Sequence, residues 1–410
     1  MSSSSPGAGA PILLAFSGGL DTSFCVPWLR ETCGRAVVTV TVDTGGLDAG
    51  AARRLEGRAT ALGASAHHLI DARRDYFDHV LRWLIAGNIR RGQLYPLCVG
   101  AERVIQAQTV AALARKLGTG TVAHGCTAAG NDQVRFEVAL RTLAPGLEIL
   151  APVRDQAFQR AAQLAYLEER RLPIPPHGAA YSINRGLWGV TIGGRETLTS
   201  GASIPEDAWV LSRDAFTAPR APQRIVIGFS AGLPVSLDGA ALDPVTLIER
   251  LESAAAPYGI GRGVHLGDTI IGTKGRVAFE APAAAVLIEA HRELEKLVLT
   301  ARQQRVKDLV AAPYGDLVHE GQHLDPACRD IEALFASSQA RVTGSVTLLL
   351  RPGSAFVEGV DSPHSLMKAS KSVYGEAAGE WTAADARGFS KMLSLPGAFW
   401  TRAAGEVEET

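Results

Sequence analysis

The sequence predicts an α/β protein, with a doubly wound parallel sheet first, an α+β part after it and a C-terminal oligomerisation arm. Three observations lead there. Short apolar runs alternate with helix-patterned segments over the first ~170 residues, the signature of a parallel sheet wrapped by helices. A proline-rich stretch, Leu172-Pro-Ile-Pro-Pro-His177, then stops that alternation. Beyond it the texture turns to glycine-punctuated β segments and one long helical stretch.

Taken in order, residues 12–16, 37–42 and 121–124 are aliphatic and β-branched runs of strand length. Residues 21–33, 49–62, 71–86 and 102–117 have helical spacing, and Gly34, Gly63, Gly87 and Gly118 follow them as stop signals. A helix over 157–171 ends where successive prolines cannot continue it. The resulting division is a disordered tail over 1–10, a first domain over 11–172, a second over 173–362 and an arm over 363–410. In the second domain, residues 181–192, 224–229 and 267–279 read as β and 282–309 as one long helix, with a late strand pair at 345–350 and 355–360. The arm carries Trp381, Phe389, Met392, Leu393, Phe399 and Trp400, apolar surface that is costly to leave in water. It is expected to pack on another subunit or to fold back on its own chain.

Composition narrows the class. The 410 residues hold 41 Lys and Arg against 42 Asp and Glu, a net charge of −1, which gives no electrostatic reason to expect nucleic acid or an anionic membrane. At 46% hydrophobic and 20% charged, the chain as a whole is not intrinsically disordered. No apolar run reaches the ~18–20 residues of a membrane span. The opening MSSSSPGAGA has no basic n-region, so a tail and not a secretory signal is expected. Five cysteines, Cys25, Cys33, Cys98, Cys126 and Cys328, are odd in number and scattered, which suits reduced thiols in a cytoplasmic protein. No metal site is assigned from them.

The most informative segment is Ala15-Phe-Ser-Gly-Gly-Leu-Asp-Thr-Ser23, directly after the first strand and opening the first helix. Gly18 and Gly19 leave backbone N–H groups free to converge on phosphate oxygens, and the helix start adds favourable partial charge. Ser17, Thr22 and Ser23 add hydroxyl donors. Asp21 can cap the helix or hold Mg2+. The turn has no lysine for a G-x-x-x-x-G-K-[ST] loop and does not match G-x-G-x-x-G. It resembles the pyrophosphate loop of ATP pyrophosphatases, which grip the terminal phosphates and leave the α-phosphorus open.

A second loop, His124 to Glu137, concentrates Thr127, Asn131, Asp132, Gln133 and Arg135 at a strand's carboxyl end. Such a cluster is expensive to bury unless it meets a polar ligand. A capped helix, with Asn131 or Asp132 at the N-cap, explains the turn but not Arg135. His124 reads as a loop histidine before it reads as a general base.

On these two loops, with Tyr181-Ser-Ile-Asn184, Gly272-x-Lys-x-Arg276, Ser337-Ser-Gln339 and Val342-Thr-Gly-Ser-Val346 in order behind them, the chain resembles the argininosuccinate synthase family over nearly its whole length. The resemblance implies an ATP pyrophosphatase-type nucleotide-binding domain, a synthetase domain and an arm that embraces neighbours in a homotetramer. It implies ATP at Ala15, Phe16, Ser17, Gly18, Gly19, Leu20, Asp21, Thr22, Ser23, Val42 and Gly125. Aspartate falls to Thr127, Asn131 and Asp132, and citrulline to Tyr95, Asn131, Arg135, Ser182 and Thr191. The implied reaction, with Mg2+, activates the citrulline ureido oxygen with AMP, expels pyrophosphate into the glycine turn and lets the aspartate amine displace AMP. Asp21, Asp132 and Arg135 are its expected catalytic residues. The chain departs from the family pattern at Gly45-Gly46, at Val99-Gly100, and at Gly267 and Phe279, where the family carries a glutamate and a tyrosine that contact the citrulline backbone. Asp268, next to Gly267, is a candidate to restore the charge. A citrulline modified at its amino end, for example N-acylated, is the alternative substrate.

Overall fold

The computed structural model describes residues 9–176, 181–376 and 378–405; the expected tail, up to residue 8, and His177 at the domain boundary lie outside the described residues. Strands β1 (Ile12–Ala15), β2 (Val37–Asp43), β3 (Ala66–Asp71), β4 (Thr121–Ala123) and β5 (Glu148–Leu150) form one sheet in the order β3-β2-β1-β4-β5. Every pairing in it is parallel. The three expected strands are its centre, where β1 and most of β2 are buried. The two outer strands escape the sequence pattern for physical reasons: β3 is an edge strand whose Leu69 is exposed, and β5 is three residues long.

The helices Leu20–Cys33 and Arg103–Leu117 end at left-handed glycines, Gly34 and Gly118, where the sequence placed its stops. The helix expected over 71–86 begins later: Asp71 ends β3, and the helical run Arg73–Tyr76, Phe77–Leu81 and Arg82–Ala86 contains a π turn in its middle segment.

The second part adds β6 (Ser182–Gly186), β7 (Gly189–Gly193), β8 (Gln223–Ser230), β9 (Leu233–Leu237), β10 (Ala240–Ala241), β11 (Arg262–Asp268), β12 (Lys274–Glu280), β13 (Gly344–Arg351) and β14 (Ser354–Asp361). They make two antiparallel sheets, β11-β12-β7-β6 and β10-β9-β8-β13-β14. Residues 267–279 are therefore not one strand: they hold the end of β11, a five-residue turn and most of β12. The single helix expected over 282–309 is two, Pro282–Val298 and Ala301–His319. Thr300 breaks it by capping the second, its hydroxyl accepting from the Gln303 N–H while Gln303 Oε1 accepts from the Thr300 N–H at 3.0 Å. The arm is a helix, Ala383–Ala403, with no buried residue, so the expectation that it folds back on its own chain is overturned.

One apolar cluster runs from Leu13 and Leu84 through Trp188 to Ile227, Leu287 and Leu348, joining the two parts through a shared core. The β6–β7 hairpin tip locks them. Leu187 N–H donates to the Thr44 carbonyl at 2.9 Å, and Trp188 Nε1 donates to the Pro96 carbonyl at 3.0 Å. Gly45, at φ +113°, is required for this approach, because a Cβ there would lie 2.3 Å from the Leu187 nitrogen. The hairpin is thereby held over the carboxyl ends of the parallel strands, where open α/β sheets place their ligand crevice.

Candidate active site

The glycine turn between β1 and the first helix is shaped from its backbone outward. Gly18 takes φ +74° and packs so tightly on Leu55 that a Cβ would sit 2.3 Å from that side chain. Gly19 is the N-cap, with no side chain over the helix start. Ser17 Oγ and Thr22 Oγ1 lie 3.2 Å apart across the turn, and Arg58 donates to the Gly18 carbonyl. Ser23 is wholly buried and its hydroxyl has no hydrogen-bond partner among the described residues. A helix start with no side chain on its N-cap suits an anion. A cavity of about 330 Å³ opens on this turn, walled by Val40, Val42, Leu55 and Phe136 and bounded by Thr44, Glu102 and Arg103.

A second cavity, of about 450 Å³, adjoins it and shares Asp21, Gly125, Cys126, Asp132 and Asn184 with it. Its floor is one face of the β11-β12-β7-β6 sheet. The register pairs Asn184 with Thr191, His265 with Val277 and Gly267 with Gly275, so these residues, with Ser182 two positions before Asn184, share that face. The opposite wall is the second loop and the start of the helix Asp132–Leu143.

The electrostatics between the cavities centre on Asp132. Its carboxylate accepts from Arg103 Nη2 at 3.0 Å and from Arg135 Nη1 at 2.9 Å. Burial opposes its ionisation, but the two guanidiniums outweigh that and hold the carboxyl down at about 2. Arg135 is itself fixed, donating Nε to the His319 carbonyl at 2.7 Å and Nη2 to His319 Nδ1 at 3.1 Å. On the nucleotide side, Arg103 also donates to Glu102 at 2.8 Å, and Thr44 donates to the same carboxylate at 2.9 Å. Glu102 is buried, which raises its carboxyl to about 7 against the pull of Arg103.

Of the residues assigned to ATP by resemblance, Ala15, Phe16, Ser17, Gly19, Asp21, Thr22, Val42 and Gly125 line the first cavity. Leu20 packs in the apolar cluster beneath the turn, and neither Gly18 nor Ser23 reaches the cavity wall. Tyr95, Thr127, Asn131, Asp132, Arg135, Ser182 and Thr191 all line the second cavity. Asn131 is the N-cap residue but makes no cap hydrogen bond; its Oδ1 accepts from Ile270 N–H at 3.0 Å, tying the loop to the β11–β12 turn. Tyr95 donates its hydroxyl to the Cys98 carbonyl and presents its ring to the cavity. His124 is a buried loop histidine, Nδ1 accepting from Cys126 N–H at 3.3 Å. Sequence reasoning missed Thr44, Glu102 and Arg103 in the first cavity and Arg91, His265 and His319 in the second.

Comparison with known proteins gives a consistent result. The model of the Arginosuccinate synthase N-terminal HUP domain matches residues 11–173, and that of the Arginosuccinate synthase C-terminal domain matches residues 181–400. An argininosuccinate synthase of Xanthomonas campestris pv. campestris is 42% identical over 391 residues, covering 94% of this chain and 96% of the relative. One from Methanocaldococcus jannaschii is 39% identical over 355 residues, covering 86% of this chain and 89% of the relative. One from Pyrobaculum aerophilum is 39% identical over 389 residues, covering 94% and 96%.

Proposed function

The chain belongs to the argininosuccinate synthase family, which ligates citrulline and aspartate with ATP, and from that premise we propose how its two cavities divide the reaction. ATP lies in the first cavity with its terminal phosphates on the Ser17–Ser23 turn. Citrulline and aspartate lie in the second. The observation that carries this reading is the shared wall, Asp21, Gly125 and Asp132, which brings the phosphate end of one cavity against the polar end of the other.

A ureido carbon is a poor electrophile until its oxygen becomes a leaving group. Attack of that oxygen on the α-phosphorus, with pyrophosphate leaving onto the glycine turn, makes a citrullyl-AMP that the aspartate amine can displace as AMP. The protein's part is positioning and charge stabilisation. Arg135, immobilised by His319, offers a fixed cation beside the reacting ureido group. Asp132 orients the incoming amine; a carboxyl held at about 2 by two guanidiniums is too weak a base to take the amine's proton near neutrality.

Mg2+ is the expected companion of ATP. Among the described residues no three His, Cys, Asp or Glu side chains converge on a metal position. Asp21, half-buried and facing both cavities, is the residue that would hold it. When bound, such an ion would supply the positive charge for pyrophosphate that the turn, having no lysine, does not. Cytoplasmic location and a homotetramer complete the reading. The unburied apolar side of the arm helix supports the homotetramer. Citrulline labelled with oxygen-18 in its ureido group tests the route: the label is expected in AMP, and its appearance in inorganic phosphate or pyrophosphate would exclude adenylation.

A further inference from the structure

We propose that Arg58 is the positioning cation of the glycine turn: from behind the Gly18–Gly19 peptide it holds the carbonyl away from the cavity, so that the Gly19 N–H faces the departing pyrophosphate. This rests on the ligase reading above and deepens it, assigning a positive charge to a turn that has no lysine. Arg58 comes from the helix Ala49–Ala61, on the same face as Leu55 three residues earlier. Both residues meet the turn: a Cβ at Gly18 would lie 2.3 Å from Leu55 Cδ2 and 3.5 Å from Arg58 Nη1. Arg58 Nη1 donates to the Gly18 carbonyl oxygen, the one hydrogen bond that its guanidinium makes among the described residues. No carboxylate among them pairs with it, although Arg58 is half-buried. The other arginines lining the first cavity are committed, Arg103 to Glu102 and Asp132 and Arg185 to Glu252. A half-buried cation without an anion of its own suits a place where the anion arrives with the substrate.

Peptide geometry gives that cation its use. In a trans peptide the carbonyl and the following N–H point in opposite directions. With Arg58 on the Gly18 oxygen, the Gly19 N–H is turned to the other side, where its acceptor is Ser17 Oγ at a long 3.4 Å. Ser17 and Gly19 line the first cavity and Arg58 does not, so guanidinium and cavity lie on opposite sides of this peptide. Gly18 takes φ +74° and Gly19 takes φ −75° with ψ 175°. Two successive glycines have no Cβ to resist rotation of the peptide plane between them. A flip would point the Gly18 carbonyl into the cavity, oxygen against phosphate oxygen, and would take the Gly19 N–H away from the anion. Arg58 holds the peptide against that flip. Its charge also polarises the peptide along the carbonyl-to-N–H direction, which strengthens the N–H as a donor to an anion.

The test is product inhibition of the full-length protein, turning over ATP, citrulline and aspartate, by inorganic pyrophosphate and by AMP. Wild type is compared with Arg58→Met, which keeps an unbranched stem that suits a helix, and with Arg58→Lys. Arg58→Met is expected to raise the pyrophosphate inhibition constant roughly tenfold or more, the effect of losing a hydrogen bond to a charged group, and to lower kcat/KM for ATP with it. The AMP inhibition constant and the KM values for citrulline and aspartate should stay at their wild-type values. Arg58→Lys keeps a cation that can donate to one carbonyl and should recover most of the pyrophosphate affinity. An unchanged pyrophosphate constant in Arg58→Met would overturn the inference. So would pyrophosphate and AMP constants that rise together, since that marks a nucleotide site loosened as a whole, and so would an Arg58→Lys protein as weak as Arg58→Met. Each of these leaves the ligase reading standing. Wild type that forms ADP and phosphate in place of AMP and pyrophosphate would instead sink that reading and the inference with it.

Discussion

Glu102→Gln isolates the most perturbed carboxylate between the two parts of the molecule. Glu102 accepts from Thr44 at 2.9 Å and from Arg103 at 2.8 Å, and burial raises its carboxyl from 4.5 to about 7. A carboxyl raised on folding favours the folded state below its unfolded pKa, and that contribution is lost as pH rises through the folded pKa. The window is therefore pH 4.5 to 7. A rise of two to three units corresponds to about 3 kcal/mol, at 1.36 kcal/mol for each unit. Glutamine keeps one oxygen for Arg103, and the Thr44 hydroxyl can rotate to accept from the new amide. Urea unfolding of the two proteins at pH 5 and pH 8 gives the answer. Wild type should lose about 2.5 kcal/mol relative to the variant between those pH values, part of the shift being already spent by pH 5. Parallel stability curves would show that Glu102 is not held protonated by its burial, and a loss in the opposite direction would show that Arg103 dominates.

Asp132→Asn removes a charge from between two guanidiniums and should lower kcat/KM roughly 10- to 100-fold, the range for a hydrogen bond to a charged group; because Asp132 stays ionised down to about 2, wild type should show no acid limb from it above pH 5. Lys307→Met strands Glu295, which accepts from Lys307 at 2.7 Å while both are buried, and urea unfolding should show a loss of about 3–5 kcal/mol that adding Glu295→Leu largely restores. Phe389, Leu393 and Trp400 are 68%, 68% and 72% exposed on the arm helix, so changing all three to serine should leave the subunit folded but lower the mass seen in sedimentation equilibrium. An unchanged mass would place the subunit contact elsewhere.

What the sequence could reveal depended on how locally each feature is determined. The central strands were legible because burial on both faces leaves an apolar run, whereas β3 carries His67 and His68 at a half-exposed edge and gives no such run. The break at Thr300 had a local signature, Thr-x-x-Gln, yet the apolar spacing on either side masked it. The glycine turn was legible because nine consecutive residues build it. The second cavity was legible only where its loop is continuous. His319 meets Arg135 from 184 positions away, and Thr44 meets Glu102 from 58, so nothing within a sequence window marks either residue.

Those distant pairs explain why two carboxylates at one junction take different tasks. From Thr44 through Glu102, Arg103, Asp132 and Arg135 to His319, each polar group is satisfied by the next, and charges of opposite sign alternate across the wall between the cavities. Asp132 sits inside that chain, where both neighbours are cations, and its charge is committed to holding them. Asp21 lies on the same wall but on the helix that the glycine turn opens, outside the chain. A carboxylate of that kind can change partners as substrates arrive and pyrophosphate leaves. Asp132 can do so only by releasing a guanidinium into a buried site, a step that would cost several kcal/mol. On the proposed reading, the fixed carboxylate sets geometry and Asp21 meets the charge that moves.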